Sequence, residues 1–156
     1  MKTTIDVIIT TTESKDVYFT GLTLLSKDEY LKYKKNIKPC DYWWWLRSPG
    51  SLSNRASDVY SDGSLYGSYV NYANGSVRPA LIINPISNLR INTSFNYYGH
   101  KWTAISEDYA LCDDAFCKMA FREGCMATDN NDYEASDVKK YLDEVWNDMN
   151  KGDKNV

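Results

Sequence analysis

The sequence predicts an α+β domain, short antiparallel strands packed with two or three helices, on the strength of three features. Residues 42–83 alternate short apolar runs with turn dipeptides, among them Asp62-Gly63 and Asn74-Gly75, whose left-handed conformations permit tight reversals. Ser26-Lys27-Asp28-Glu29 is a capping box, in which hydroxyl and carboxylate each take the other's backbone amide at the start of a helix. From Ser136 onward Val138, Tyr141, Leu142, Val145, Trp146 and Met149 recur at spacings of three and four, the stripe of an amphipathic helix.

In chain order, Ile5 to Thr10 is rich in β-branched residues and reads as a strand, broken by the polar residues 11–15. A second apolar run, Val17 to Leu25, leads into the capping box, whose helix extends to about Lys35; the four lysines of 32–38 mark its exposed end. Next, Tyr42-Trp43-Trp44-Trp45-Leu46 sets three of the chain's five tryptophans side by side. Neighbouring strand residues point to opposite faces, so Trp43 and Trp45 share one side and Trp44 meets a second layer or solvent. Ser48-Pro49-Gly50 reads as the turn that ends this strand.

Short strands continue to the run Val77 to Ile83, where Pro79 removes an amide and points to an edge. Leu89 to Phe95 and Lys101 to Ile105 read as further strands, the latter with Trp102 and Ala104 on one face, and residues 106–111 as irregular. Ala115, Phe116, Met119 and Ala120 fit a helix from about Asp113 to Arg122, stopped by Gly124, with a polar loop over 128–133. The helix capped by Ser136 completes one domain over residues 1–149, and 150–156 reads as a frayed tail.

Composition narrows the function classes. The net charge of -3 argues against a general nucleic-acid binder. Residues 1–100 carry +3 and residues 101–156 carry -6; the acidic part reads as a solvated helix surface able to face a basic partner. The Ile5-Asp6-Val7-Ile8-Ile9 segment is too short and too broken for a signal peptide, and no apolar run is long enough to span a membrane, so a cytoplasmic location is expected. Cys40, Cys112, Cys117 and Cys125 are expected as free, mostly buried thiols.

No catalytic constellation stands out. His100 is the single histidine and reads as a turn residue, and with Cys112, Cys117 and Cys125 it lacks the close cysteine pairing of a zinc site. Residues 129–134 offer oxygen ligands without the spacing or central glycine of a calcium loop; Trp146-Asn147-Asp148 lies within a helix stripe rather than a calcium site. No glycine-rich phosphate loop is present, and no metal or cofactor is expected.

Trp44-Trp45-Leu46-Arg47-Ser48-Pro49-Gly50, then Ala56, Val59 and Asp62-Gly63-Ser64, then Val77-Arg78-Pro79-Ala80-Leu81 resemble the signature of an uncharacterised bacterial and phage domain family. Leu24 to Tyr30 resembles that family's approach to its tryptophans. The family is distantly similar to C-type-lectin-like and sulfatase-modifying-factor-type domains. The resemblance implies a C-type-lectin-like arrangement, here with a permuted order, because Trp102 and the region around Tyr133 to Tyr141 follow the signature instead of preceding it.

Thirteen tyrosines favour binding, since tyrosine supplies wide amphipathic contact at low entropic cost. The expected contact residues are Trp44, Tyr60, Tyr66, Tyr69 and Tyr72; Trp43, Trp45, Arg47, Arg78, Trp102 and Trp146 are expected to be structural, the arginines tying turn carbonyls or a carboxylate together. The resulting expectation is a non-enzymatic protein that binds a host macromolecule, a protein before a glycan, as an inhibitor or modulator. The phage resemblance adds interference with a host defence system; a cell-surface glycan module and an enzyme are the alternatives.

Overall fold

The computed structural model describes residues 2–8, 13–123 and 131–154 and corrects the predicted fold class. Among the described residues there are eleven strands, two α-helices and three single turns of 3-10 helix. In order these are β1 (Lys2–Ile8), β2 (Glu13–Thr23), α1 (Lys27–Tyr33), β3 (Trp44–Pro49), β4 (Arg55–Val59), β5 (Leu65–Tyr69), β6 (Ser76–Val77) and β7 (Ala80–Ile83). They continue with β8 (Ser94–Tyr97), β9 (His100–Ala104), β10 (Tyr109–Cys112), β11 (Cys117–Lys118) and α2 (Asp137–Lys154). Six strands close a barrel in the order β1-β2-β7-β10-β9-β8, and the other five form an open sheet in the order β11-β6-β3-β4-β5. The domain is therefore mostly β, and the α+β, C-type-lectin-like arrangement is set aside.

Barrel closure follows from alternation and one bulge. Val17 and Phe19 of β2, Phe95 of β8, and Trp102 and Ala104 of β9 are all buried and fill one core with Ile5 and Leu81. The register of β2 on β7 shifts between Phe19 and Gly21, an irregularity that bends and twists a strand. The same core continues through Trp45, Ala56 and Val77 of the open sheet to Val138, Leu142 and Met149 of α2. On the reverse face of β3, Trp44 and Leu46 join Leu25, Tyr30, Val59, Ile105 and Leu111 in a second core.

The run Val77 to Ile83 is divided between the two sheets. Val77 pairs with Cys117 in the open sheet, whereas Ala80 pairs with Leu111 in the barrel. Pro79 lies at the crossover, where its missing amide leaves no ladder bond unmade, and its carbonyl accepts from the Cys112 amide at 2.9 Å.

Several local expectations are corrected. Strand β3 runs through Ser48 to Pro49 instead of turning there. Residues 89–93 form no strand: they are irregular with a turn at 91–92, where Asn92 takes a φ of 71°, and β8 begins only at Ser94. Residues 109–111, within the stretch 106–111 expected to be irregular, belong to β10 between β7 and β9. The helix expected over 113–122 is replaced by β11 and bends, because the Phe116 and Met119 amides donate to Val77 and Gly75 carbonyls at 2.9 Å each. Helix α2 reaches Lys154, beyond the expected fraying point at 150. Its cap is the expected serine, whose hydroxyl, on Ser136, accepts from the Lys139 amide at 3.0 Å. Gly124, Cys125 and residues 128–130 of the expected loop lie outside the described residues.

Candidate functional site

The tryptophan triplet divides between the two cores. Trp43 and Trp45 meet edge to face, ring centres 4.8 Å apart, and Trp45 donates its indole N–H to the Met119 carbonyl at 3.0 Å. Trp44 points the other way, onto Tyr30 at 5.6 Å and beneath the Arg78 guanidinium at 5.0 Å. Only 2% of Trp44 is exposed, so its expected place on an outer contact face is corrected: the layer it meets is the second core, and an aromatic of this size is fully used there. Trp102 is buried and donates to the Tyr97 carbonyl at 2.9 Å, while Trp146 lies half-buried on α2 against the first core.

The four tyrosines form two pairs. Hairpin β4–β5 pairs Arg55 with Tyr69 and Asp58 with Tyr66, and its turn is closed by Gly63, at a φ of 85°, donating to the Tyr60 carbonyl at 2.8 Å. Tyr60 and Tyr66 are 41% and 52% exposed, with rings 4.2 Å apart. Tyr69 meets the exposed Tyr72 edge to face at 5.5 Å, and Arg55 lies over the Tyr69 ring at 4.3 Å. Strand β5 is the last of its sheet, so both pairs border a strand edge.

Glu29 organises the ground beneath this hairpin's sheet. Its carboxylate accepts from the Ser26 amide at 2.8 Å, from Arg47 at 2.5 Å and from the Tyr109 hydroxyl at 2.5 Å; Arg47 also donates to the Leu24 carbonyl at 2.7 Å. Burial pushes the carboxyl up, but these three donors outweigh it and hold Glu29 below its ordinary range. Tyr109, partly buried and donating to that carboxylate, is pushed up to about 12.

A cleft of about 130 Å³ opens between α1 and the hairpin turn. Tyr30 spans its base by donating to the Gly63 carbonyl at 2.8 Å, and Lys34, Trp44, Tyr60, Asp62 and Arg78 line it. Arg78 is 1% exposed and donates to the carbonyls of Cys112 at 2.7 Å, Lys38 at 2.8 Å and Asp113 at 3.4 Å. Sequence reasoning missed this cleft. Its walls come from residues 30–40, 44, 59–63 and 78, and the one local signal was a basic residue between the apolar Val77 and Pro79-Ala80-Leu81.

The remaining reactive groups are occupied or neutral. His100 stacks on Phe116 at 4.0 Å, and burial lowers its pKa. Burial pushes the Cys112 thiol up to about 12 and raises Cys117, which keeps both protonated near neutral pH. Cys40, Cys112 and Cys117 are free thiols, and no group of three or more metal-ligating side chains occurs among the described residues. No helix among the described residues is long and apolar enough to cross a membrane.

No curated protein and no solved structure matches the chain. A family model does, over residues 7–85, a span that takes in the capping box, the tryptophans, both tyrosine pairs, and Arg78. The chain belongs to the family described as a domain of unknown function, DUF6273.

Proposed function

We propose that the chain is a binding domain that holds a protein partner on the tyrosine-bearing edge of its open sheet. The observation that carries this reading is the Tyr60–Tyr66 pair: two large rings held 4.2 Å apart on a hairpin yet left about half exposed. Ring-on-ring contact fixes both side chains before a partner arrives, which lowers the entropy lost on binding. Tyr72 extends the exposed aromatic surface past the end of β5. The narrower reading makes the partner a host protein that the domain inhibits or redirects; its support is the phage and bacterial resemblance.

The test is affinity capture from bacterial lysate with the intact chain and with a Tyr60→Ala/Tyr66→Ala variant whose melting temperature is checked in parallel. A protein enriched by the intact chain, lost with the variant and rebound after purification supports the reading. Equal enrichment by a folded variant counts against it. Exposed tyrosine faces also stack on sugar rings, so binding to a glycan array that vanishes in the same variant would reassign the partner.

A further inference from the structure

We propose that the cleft between α1 and the hairpin turn is a binding site for a small carboxylate with a flat apolar body, its anionic head held by Arg78. This inference is independent of the tyrosine face. Arg78 carries a permanent charge and is 1% exposed, yet its bonds run to three backbone carbonyls, and no ion pair among the described residues includes it. A buried charge is ordinarily paired; here the Trp44 ring at 5.0 Å and the more distant Asp113 and Asp114 ease the charge, but no carboxylate touches it.

Asp113, Asp114 and Asp62 are the nearby carboxylates, and none of them forms an ion pair with Arg78. Asp113 takes Lys38 at 3.2 Å and the Thr103 hydroxyl at 2.6 Å, offering Arg78 only its backbone carbonyl. Asp62 accepts from the Ser64 amide at 2.9 Å. The bonds from Arg78 leave through Nε and Nη2, so Nη1 is the donor for a ligand oxygen in the cleft that Arg78 lines. Exposed Lys34 faces the Asp62 carboxylate across the same rim and offsets its charge, leaving Arg78 as the cation at the base.

The rest of the lining selects the ligand's body. Tyr30, Ile37, Trp44 and Val59 supply apolar walls, and the volume of about 130 Å³ is close to the roughly 150 Å³ of a cavity that takes benzene. One six-membered ring with one carboxylate is the matching size and polarity.

Benzoate titrated into the purified chain, followed by amide and indole NMR shifts, tests the site. Saturable shifts at Tyr30, Trp44 and Gly63 are expected, with the neutral isostere benzamide at least about tenfold weaker because it lacks the charge-assisted bond. Lys34→Ala should weaken benzoate by about threefold, and Arg78→Lys should abolish it. Because Arg78→Lys removes core hydrogen bonds, Ser61→Trp serves as the folded control: Ser61 is exposed at the cleft, and an indole there blocks entry. The proposal is overturned if no shift saturates by roughly 10 mM, where a millimolar site is nearly filled. Equal binding of benzamide or inorganic phosphate, or unchanged benzoate binding in folded Ser61→Trp, overturns it as well.

Discussion

Gly75 lies flush against Trp45: a Cβ at Gly75 would collide with Nε1, Cε2 and Cζ2 of the indole. That indole is held by its bond to the Met119 carbonyl and by Phe121 at 5.6 Å, and the Met119 amide in turn donates to the Gly75 carbonyl, so moving the ring would break contacts in a filled core. Gly75 is needed for space, and it is absent from the residues with positive φ. Gly75→Ala is expected to cost about 1–3 kcal/mol, the usual penalty for overpacking a filled core. Gly67→Ala is the control, because its Cβ would meet nothing nearer than 3.6 Å. Urea denaturation of both variants checks the pair, and equal losses would show that the indole does yield.

Glu29 predicts the acid limb of stability. Its folded pKa is depressed, so the stability it contributes is present above the unfolded value, near 4.5, and is lost as pH falls through the folded pKa. Glu29→Gln removes the charge from the Arg47 and Tyr109 contacts and is expected to cost about 1–3 kcal/mol at pH 7. Below pH 4.5 the variant and the parent should converge. Parallel melting curves from about pH 3 to pH 7 check this; a gap that stays constant with pH would remove the carboxylate from the explanation.

What could be read in advance was local. The Ser26–Glu29 box and the α2 stripe depend on residues three or four apart, and the division of Trp43 and Trp45 from Trp44 depends on neighbours in one strand. Barrel closure depends on pairing across long separations, such as Val7 with Phe95 and Leu22 with Leu81, which no window of sequence contains. Residues 113–122 show the same limit in reverse. Their apolar spacing satisfies a helix template, but hydrogen bonds from Phe116 and Met119 to β6 and the preceding turn override it. The cleft was hidden for that reason too, since four separated stretches of chain build it.

Asp58 works against Glu29. It is fully buried on β4, neither carboxylate oxygen makes a hydrogen bond of ordinary geometry among the described residues, and the neighbouring Ser68 hydroxyl offers only partial relief. Burial raises its folded pKa, so its favourable contribution is complete below the unfolded value of 3.8 and is lost as pH rises through the folded value. Asp58→Asn is therefore expected to gain about 1–3 kcal/mol at pH 7 by removing an uncompensated charge. The gain should shrink towards zero below pH 3.8. Chemical denaturation at about pH 3 and pH 7 separates this from a general packing effect, which would not change with pH.

The Tyr60–Tyr66 pair should matter more to binding than to folding. The rings touch each other at 4.2 Å but are 41% and 52% exposed, so truncation leaves no cavity in either core. A double-mutant cycle of Tyr60→Ala and Tyr66→Ala is expected to give a coupling of about 0.5–1.5 kcal/mol in stability. Each single variant should lose less than a core truncation such as Leu142→Ala, for which about 2–5 kcal/mol is usual. If either tyrosine variant matches the Leu142→Ala loss, the pair is a structural cornerstone of the hairpin, and its exposure no longer argues for a partner.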